Sequence, residues 1–329
     1  MSILGMKVRG RVAVVLIAMV VGVGATWPVR RLAAAAETPS SGDWPQFLGP
    51  NRDGLAPGSP KLLDAWPKEG LRLLWKSAPL PEAPTSGIGT PVVADGKLYT
   101  FSCVFLPQSG VTPIDAELVA SLQDKKAGHE KDMEWITANQ GKEVKTYNEF
   151  ERMLRARWYN YTHGHWCASL LLKQAKKLFD KGQKASETLL CLDAASGKEL
   201  WRKEITASNP PGPAFEGEGF GFSGMPAVFK DKVYFAGACA LYCVDAKQNG
   251  ALVWQAKCDG SHGSPLVLDG TVYVMSKELA AFDADTGKEL WRCPEIKSDY
   301  SSPGVWNHNG RTYLLCTCYG PGNPHDQPK

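Results

Sequence analysis

At 329 residues, 43% of them hydrophobic, with 33 Gly and 23 Pro, the chain is long enough for a sizeable core and reads as many short elements joined by many turns, the make-up of an all-β protein. The formal charge of +3 does not announce an acidic partner, because Lys7, Arg9, Arg11, Arg30 and Arg31 all lie in the first 36 residues, which hold no Asp or Glu; beyond them the charge is −2. A nearly neutral domain without a basic run gives no electrostatic case for nucleic acid.

The first 36 residues read as an export signal: a basic start, an apolar stretch from Val12 to Ala25, and "AAAAE", where Ala34 and Ala36 satisfy a small-x-small cleavage pattern before Glu37. The mature protein is expected to begin near Glu37 and to be periplasmic or extracellular. The rival reading is an uncleaved membrane anchor, and membrane contact is expected only in that case; the apolar stretch falls short of the roughly 20 residues a spanning helix needs. The first cysteine is Cys103 and the arginine pair follows the apolar run, so neither a lipid acceptor nor twin-arginine export is indicated.

Residues 37–78 form a lead-in, "DWPQFLGPNRDG" followed by "LLDAWP" and "LLW", ending on an outer-strand-like Trp75 that has no hairpin before it. The strand pattern starts with "TPVVADGKLYTF" (Thr90 to Phe101) and returns as "MPAVFKDKVYFA", "SPLVLDGTVYVM" and "SPGVWNHNGRTYLL", each a strand, a tight turn and a strand. Asp95-Gly96, Asp269-Gly270 and Asn309-Gly310 are dipeptides favoured in two-residue hairpins, where both positions take positive φ, and Asp231-Lys232 is a weaker version.

Between Phe101 and Thr188 helical signals interrupt the pattern, with an insertion expected at about residues 107–187, between the second and third strands of the first unit. Thr112-Pro113-Ile114-Asp115 has the order of a helix start, Thr146-Tyr147-Asn148-Glu149 is a capping box, and the apolar positions Leu171, Ala175, Leu178 and Phe179 share a face that ends at Gly182. Inside the insertion, "YNYTHGHWC" offers His163, His165 and Cys167 as alternating metal ligands; a polar helix connection is the other reading, and the spacing is not one that pairs ligands across two elements.

After the insertion come "DAASGKELW" (Asp193 to Trp201), "DAKQNGALVW" (Asp245 to Trp254) and "DADTGKELW" (Asp283 to Trp291). Asp193, Asp245 and Asp283 can accept bonds from the following amides, while Gly197, Gly250 and Gly287 close the turns, the first and last in the left-handed conformation. Trp201, Trp254 and Trp291 take equivalent places on the outermost strand, as glue between units. Pro226, Pro265 and Pro303 are 39 and 38 residues apart, and four strands per unit at a period near 40 is the signature of β-propeller blades. The expected fold is therefore an all-β propeller of four-stranded blades, about three and a half of them, running over residues 79–329 with a helical insertion in blade one. Pro91, Pro226, Pro265 and Pro303 are expected to open the innermost strands. The nine cysteines include several that track the repeat and are expected to be buried strand thiols.

The combination of "L-x-x-D-A-x-x-G-K-x-L-W" with "S-P-x-V-x-D-G-x-V-Y" resembles the pyrroloquinoline quinone (PQQ) repeat family, the quinoprotein-type propellers, and the lead-in resembles that of secreted bacterial members. The resemblance implies rings of seven or eight blades, so that this chain would be an incomplete propeller, a fragment or a partner to another copy. It also implies, for the dehydrogenases of the family, an axial PQQ, a Ca²⁺ and an Asp base. The loops entering the inner strands offer Ser223, His262, Tyr300 and Ser301, with Asp299 the one carboxylate, and no set of Ca²⁺ ligands or general base maps onto this sequence. The function expected is thus an exported non-catalytic binding or scaffold propeller with a protein or polymer ligand and no cofactor; the alternative is part of a PQQ- and calcium-dependent quinoprotein dehydrogenase.

Overall fold

A computed structural model describes residues 2–6, 12–18, 42–56, 58–61, 64–80, 86–106, 112–123, 130–144, 147–155, 184–208, 224–298, 301–309 and 311–319. The chain divides into two compact units, one of residues 1–104, 187–205 and 220–329 and a second of residues 105–186 and 206–219.

The larger unit is a succession of antiparallel propeller blades. The N-terminus gives β1 (Ser2–Met6) and β2 (Val12–Ala18). Blade 1 follows with β3 (Ser86–Ile88), β4 (Val92–Ala94) and β5 (Lys97–Phe105), and closes, after the insertion, with β8 (Lys184–Asp193) and β9 (Glu199–Ser208). Blade 2 is β10 (Ala227–Phe229), β11 (Lys232–Ala236), β12 (Ala240–Asp245) and β13 (Ala251–Lys257), hydrogen-bonded in that order. Blade 3 is β14 (Leu266–Leu268), β15 (Thr271–Asp283) and β16 (Glu289–Ser298). Its long middle element folds back on itself: Lys277 has φ +59°, and Ala284 N–H donates to Gly270 O at 2.9 Å, joining the two ends of β15 as Ala246 to Asp231 joins β11 to β12. Blade 4 has β17 (Gly304–His308) and β18 (Arg311–Tyr319). The four prolines do open the innermost strands, one residue ahead of β4, β10, β14 and β17.

Two of the inner hairpins turn as their dipeptides dictate. Asp95 and Gly96 have φ of 51° and 68°, Asp269 and Gly270 48° and 73°, positive at both positions as this type of turn requires. The weaker turn is displaced by one residue from its expected place: Phe229 pairs Lys232, so Lys230 and Asp231 make the turn, with Lys230 at φ +53°.

Blade 4 differs from expectation. Its sheet has the order β1-β2-β18-β17, the outer places being filled by the N-terminus, with Leu16 opposite Leu315 and Val12 opposite Tyr319. The apolar run assigned to an export signal is rich in β-branched residues, and an unpaired strand edge at β18 gives such a run a ladder to join.

The core of the large unit lies between successive blades. Val233, Val244, Val272, Val274 and Leu279 are wholly buried. Eight of the cysteines fall among the described residues and all eight are free thiols, seven of them buried, as the repeat-tracking pattern predicts. Burial pushes the thiols of Cys243 and Cys316 up to about 12.

The second unit carries β6 (Thr112–Pro113), α1 (Ala116–Gln123), α2 (Glu130–Ala138), β7 (Glu143–Val144) and α3 (Tyr147–Arg155). It has a core of its own, with Ile114, Leu122, Ile136, Phe150 and Leu154 fully buried. Helix α1 starts later than the sequence suggests. Asp115, not Thr112, is the cap, its Oδ1 accepting from Leu118 N–H at 2.8 Å, while Thr112 and Pro113 pair with Val144 and Glu143. Helix α3 begins at Tyr147, where the capping box places it. The expected helix at 171–179 lies outside the described residues.

Candidate functional site

In a propeller the blades are generic and the centre of the ring, where inner strands begin, is the place for a ligand. Here that place is built by three serine- or threonine-like positions preceding the prolines and by the lead-in. Met225 N–H donates to Ser264 Oγ at 2.9 Å, and Ser264 N–H to Ser302 Oγ at 2.9 Å. Blades 2 and 3 each hand their entry amide to the serine of the next blade. Backbones approach so closely that a Cβ on Gly224 would stand 2.6 Å from Gly263 O.

The lead-in crosses these entries. Trp44 and Val93 exchange backbone bonds of 2.8 and 2.9 Å on blade 1, Val228 N–H of blade 2 donates to Pro45 O at 2.8 Å, and Arg52 reaches the remaining two blades. The Arg52 guanidinium donates to Pro265 O of blade 3 at 2.6 Å, to Pro303 O of blade 4, and through Nε to Gln46 Oε1 at 3.1 Å. It is 7% exposed, sits at φ +57°, and burial lowers its pKa to about 10. No ion pair reaches it among the described residues; carbonyl dipoles alone hold the charge. One segment of about ten residues thus ties four blades by their inner edges, a role for which the sequence shows only a Pro- and Gly-rich stretch with a single arginine.

A buried carboxyl group bridges blades 1 and 2. Glu187 on β8 is wholly buried and accepts from Ala238 N–H and, at 2.7 Å, from Tyr242 O–H. Burial raises its pKa above the ordinary value, against the lowering effect of those two bonds. Its carboxylate occupies the space a Cβ on Gly237 would need.

Of the residues proposed from sequence for an axial cofactor, Ser223, Tyr300 and Asp299 lie outside the described residues. His262 is half-buried in the loop before Pro265. Ser301 donates its hydroxyl to Thr317 O at 2.6 Å and its backbone N–H to Ser298 Oγ at 3.3 Å. The trio His163, His165 and Cys167 also lies outside the described residues, and among the described residues no cluster of three potential ligands could hold a metal ion. Among the described residues at the blade entries, the carbonyls of Pro265 and Pro303 are bonded to the Arg52 guanidinium.

At the repeat turns each Asp accepts from the residues that follow it. Asp193 Oδ1 accepts from Ser196 N–H and Oγ–H at 2.8 and 2.6 Å, and Asp283 Oδ1 from Thr286 N–H and Oγ–H at 2.8 and 2.7 Å; these bonds lower both carboxyl pKa values. Asp245 accepts from Lys247 and Gln248 amides at 2.8 and 3.0 Å. Asn249 precedes Gly250 at φ +51°, the extra residue of the longer turn. Trp201 lies over Gly250 of the next blade and Trp254 over Gly287, so that a Cβ at either glycine would stand 2.6 Å from the indole. Trp254 Nε1–H donates to Ala284 O at 3.0 Å. Trp201, Trp254 and Trp291 each tilt against a tyrosine of their own blade, Tyr99, Tyr234 and Tyr273, at the same 5.9 Å between centroids.

Residues 185–306 match the repeat family described as outer membrane protein assembly factor BamB. Over 132 residues the chain is 32% identical to a quinohemoprotein alcohol dehydrogenase, ADH IIB of Pseudomonas putida, spanning 35% of this chain and 18% of that protein's length. Among solved structures it is similar to BamB from Moraxella catarrhalis (23% identity, 42% of this chain and 40% of that one, TM-score 0.31). It is also similar to the quinohemoprotein alcohol dehydrogenase of Comamonas testosteroni (16% identity, 86% and 46%, TM-score 0.34).

Proposed function

From blades 1 to 3, whose repeats are of the PQQ-repeat propeller family, we propose that the chain is an exported, non-catalytic propeller that binds a protein or polymer ligand. The observation that carries this reading is the lead-in: Trp44, Pro45 and Arg52 take up the inner edges of four blades, where a ring cofactor would have to stack. Specificity then belongs to what the repeat does not dictate, the inserted unit and the connection 207–224 that enters blade 2. Export is supported by the basic-apolar-AxA order of the first 36 residues and by the outer-membrane assembly factor whose repeats these match. Among the described residues no helix is long and apolar enough to cross a membrane.

The second reading, part of a PQQ- and calcium-dependent dehydrogenase, is favoured by the likeness to ADH IIB. The two are separated by adding PQQ and Ca²⁺ to the purified chain and following dye reduction with small alcohols, together with quenching of tryptophan fluorescence by PQQ. The binding-module reading expects neither turnover nor saturable quenching; turnover abolished by a chelator overturns it.

A further inference from the structure

Cys239 and Cys258 face each other at one end of blade 2. Ala240 pairs with Lys257 in the β12–β13 ladder, and the next pair outward is Cys239 and Cys258, joined by Cys258 N–H donating to Cys239 O at 3.2 Å. Opposed residues of a ladder share a face. Cys258 packs with Leu241 and Cys243, which follow Cys239 at alternate positions and so lie on its side of the sheet. The other cysteines of blades 2 and 3 oppose different residues: Cys243 stands across from Tyr234 and Trp254, and Cys293 across from Leu279. Nor is the pair a property of the repeat. Counted from the turn aspartates Asp245 and Asp283, the place of Cys239 is taken in blade 3 by Lys277, whose ladder partner is Ser298.

A hydrogen-bonded antiparallel pair sets its Cα atoms about 5.5 Å apart, inside the range of about 4.4 to 6.8 Å that a disulfide spans. The Cβ atoms of opposed residues are up to about 5.5 Å apart, about 1 Å beyond the span of the bridge, so one side must give. That side is Cys239, which stands in the turn Ala238–Cys239, closed by Gly237 N–H on Ala240 O at 2.8 Å; a small rotation there leaves β12 in place. Cys239 is half-buried and Cys258 is 2% exposed, so an oxidant meets Cys239 first.

We propose that Cys239 and Cys258 form a disulfide that ties the β11–β12 turn of blade 2 to its exit strand, with a low-molecular-weight disulfide as the oxidant. The Cys239 thiolate attacks one sulfur of that disulfide, forming a mixed disulfide and releasing one thiol. The Cys258 thiolate then attacks Cys239 Sγ, forming the internal S–S bond and releasing the second thiol. Two electrons pass from the protein to the oxidant, and the two protein protons end on the released thiols. Burial raises both protein thiols, that of Cys258 to about 11, so the exchange quickens as pH rises. An exported chain meets such oxidants, and the bond fixes the turn whose Ala238 N–H holds Glu187 of blade 1. The pairing goes beyond the binding reading and does not depend on which ligand the propeller takes.

The test is to incubate the full-length chain with oxidised glutathione, alkylate the remaining thiols and map tryptic peptides without reduction. Peptide 233–247 should be joined to peptide 258–277, with fragmentation placing the link at Cys239 and not at Cys243. The oxidised wild type should melt higher than the reduced one, because the bridge restricts the unfolded chain. Cys239→Ser, at a half-buried turn position, should keep the wild-type circular dichroism and melt alike with and without oxidant. A folded chain that shows no such link under saturating oxidant, that is linked only through other cysteines or between two chains, or that stops at glutathione on Cys239 overturns the proposal.

Discussion

Trp254 is 8% exposed, bonded through its indole to Ala284 O and pressed on Gly287 of the next blade. Trp254→Ala removes a large aromatic from between two blades and leaves a cavity, at an expected cost of about 3 to 5 kcal/mol, read from urea unfolding. A loss under about 1 kcal/mol, the size of a surface change, would mean that the indole is not an inter-blade contact. The two kinds of buried and turn carboxylate respond to pH in opposite senses. Glu187 has a raised pKa in the folded chain, so its contribution is full below the unfolded value and lost as pH rises through the folded one; the charge then sits buried, with no ion pair to it among the described residues. Melting should fall as pH rises above the ordinary glutamate value, and Glu187→Gln should flatten that slope while keeping an amide oxygen for Ala238. Asp193 and Asp283 have lowered pKa values, so what they contribute is present at neutral pH and lost as pH falls through the folded values. Asp283→Ala should therefore weaken the protein at neutral pH and much less in strong acid, as thermal melts at the two pH values would show.

At the scale of elements, the hairpins were legible because their determinants are local. A Gly after Asp, a Trp at a fixed distance and a Pro at strand entry act within a few residues of where they stand. The displaced turn at Lys230–Asp231 and the late start of α1 at Ala116 are errors of one and a few residues, where two neighbouring polar groups competed for the same role. The lead-in was not legible. Arg52 bonds to Pro265 and Pro303 across 213 and 251 residues, and no periodicity in the sequence encodes a contact of that span. The serine before each later proline was visible as part of a repeated "SP", but its hydroxyl's partner belongs to another blade. A prediction follows from this arrangement. Arg52→Met keeps the apolar stem and removes three hydrogen bonds, two of them to the buried Pro265 and Pro303 carbonyls, at an expected cost of about 2 to 4 kcal/mol. Limited proteolysis should then cut the lead-in near residues 42–56 while the blade hairpins stay protected. Unchanged protection of the lead-in would show that Trp44 and Pro45 hold it without the guanidinium.

For the molecule as a whole, the insertion is a guest whose ends meet. Leu106 N–H donates to Lys184 O at 2.9 Å, and β5 and β8 are neighbours in one sheet, so the chain leaves and re-enters blade 1 at adjacent points. The inserted unit buries Phe150, Ile136 and Leu122 in its own core, while the blades bury Val233, Val272 and Tyr234 in theirs. Loop closure costs only slowly more with length, and replacing a long connection by a short turn between paired strands lowers it. Excising residues 107–183 in favour of a two-residue Asn-Gly turn should therefore leave the propeller folded. Its strand circular dichroism should persist, and its cooperative melt should lie near that of the full chain. The same excised protein separates scaffold from specificity, because any ligand held by the inserted unit is lost with it while the tryptophan-on-glycine contacts remain. An excised chain that no longer melts cooperatively would mean that the blades depend on the guest, and the assignment of binding to the insertion would lose its physical basis.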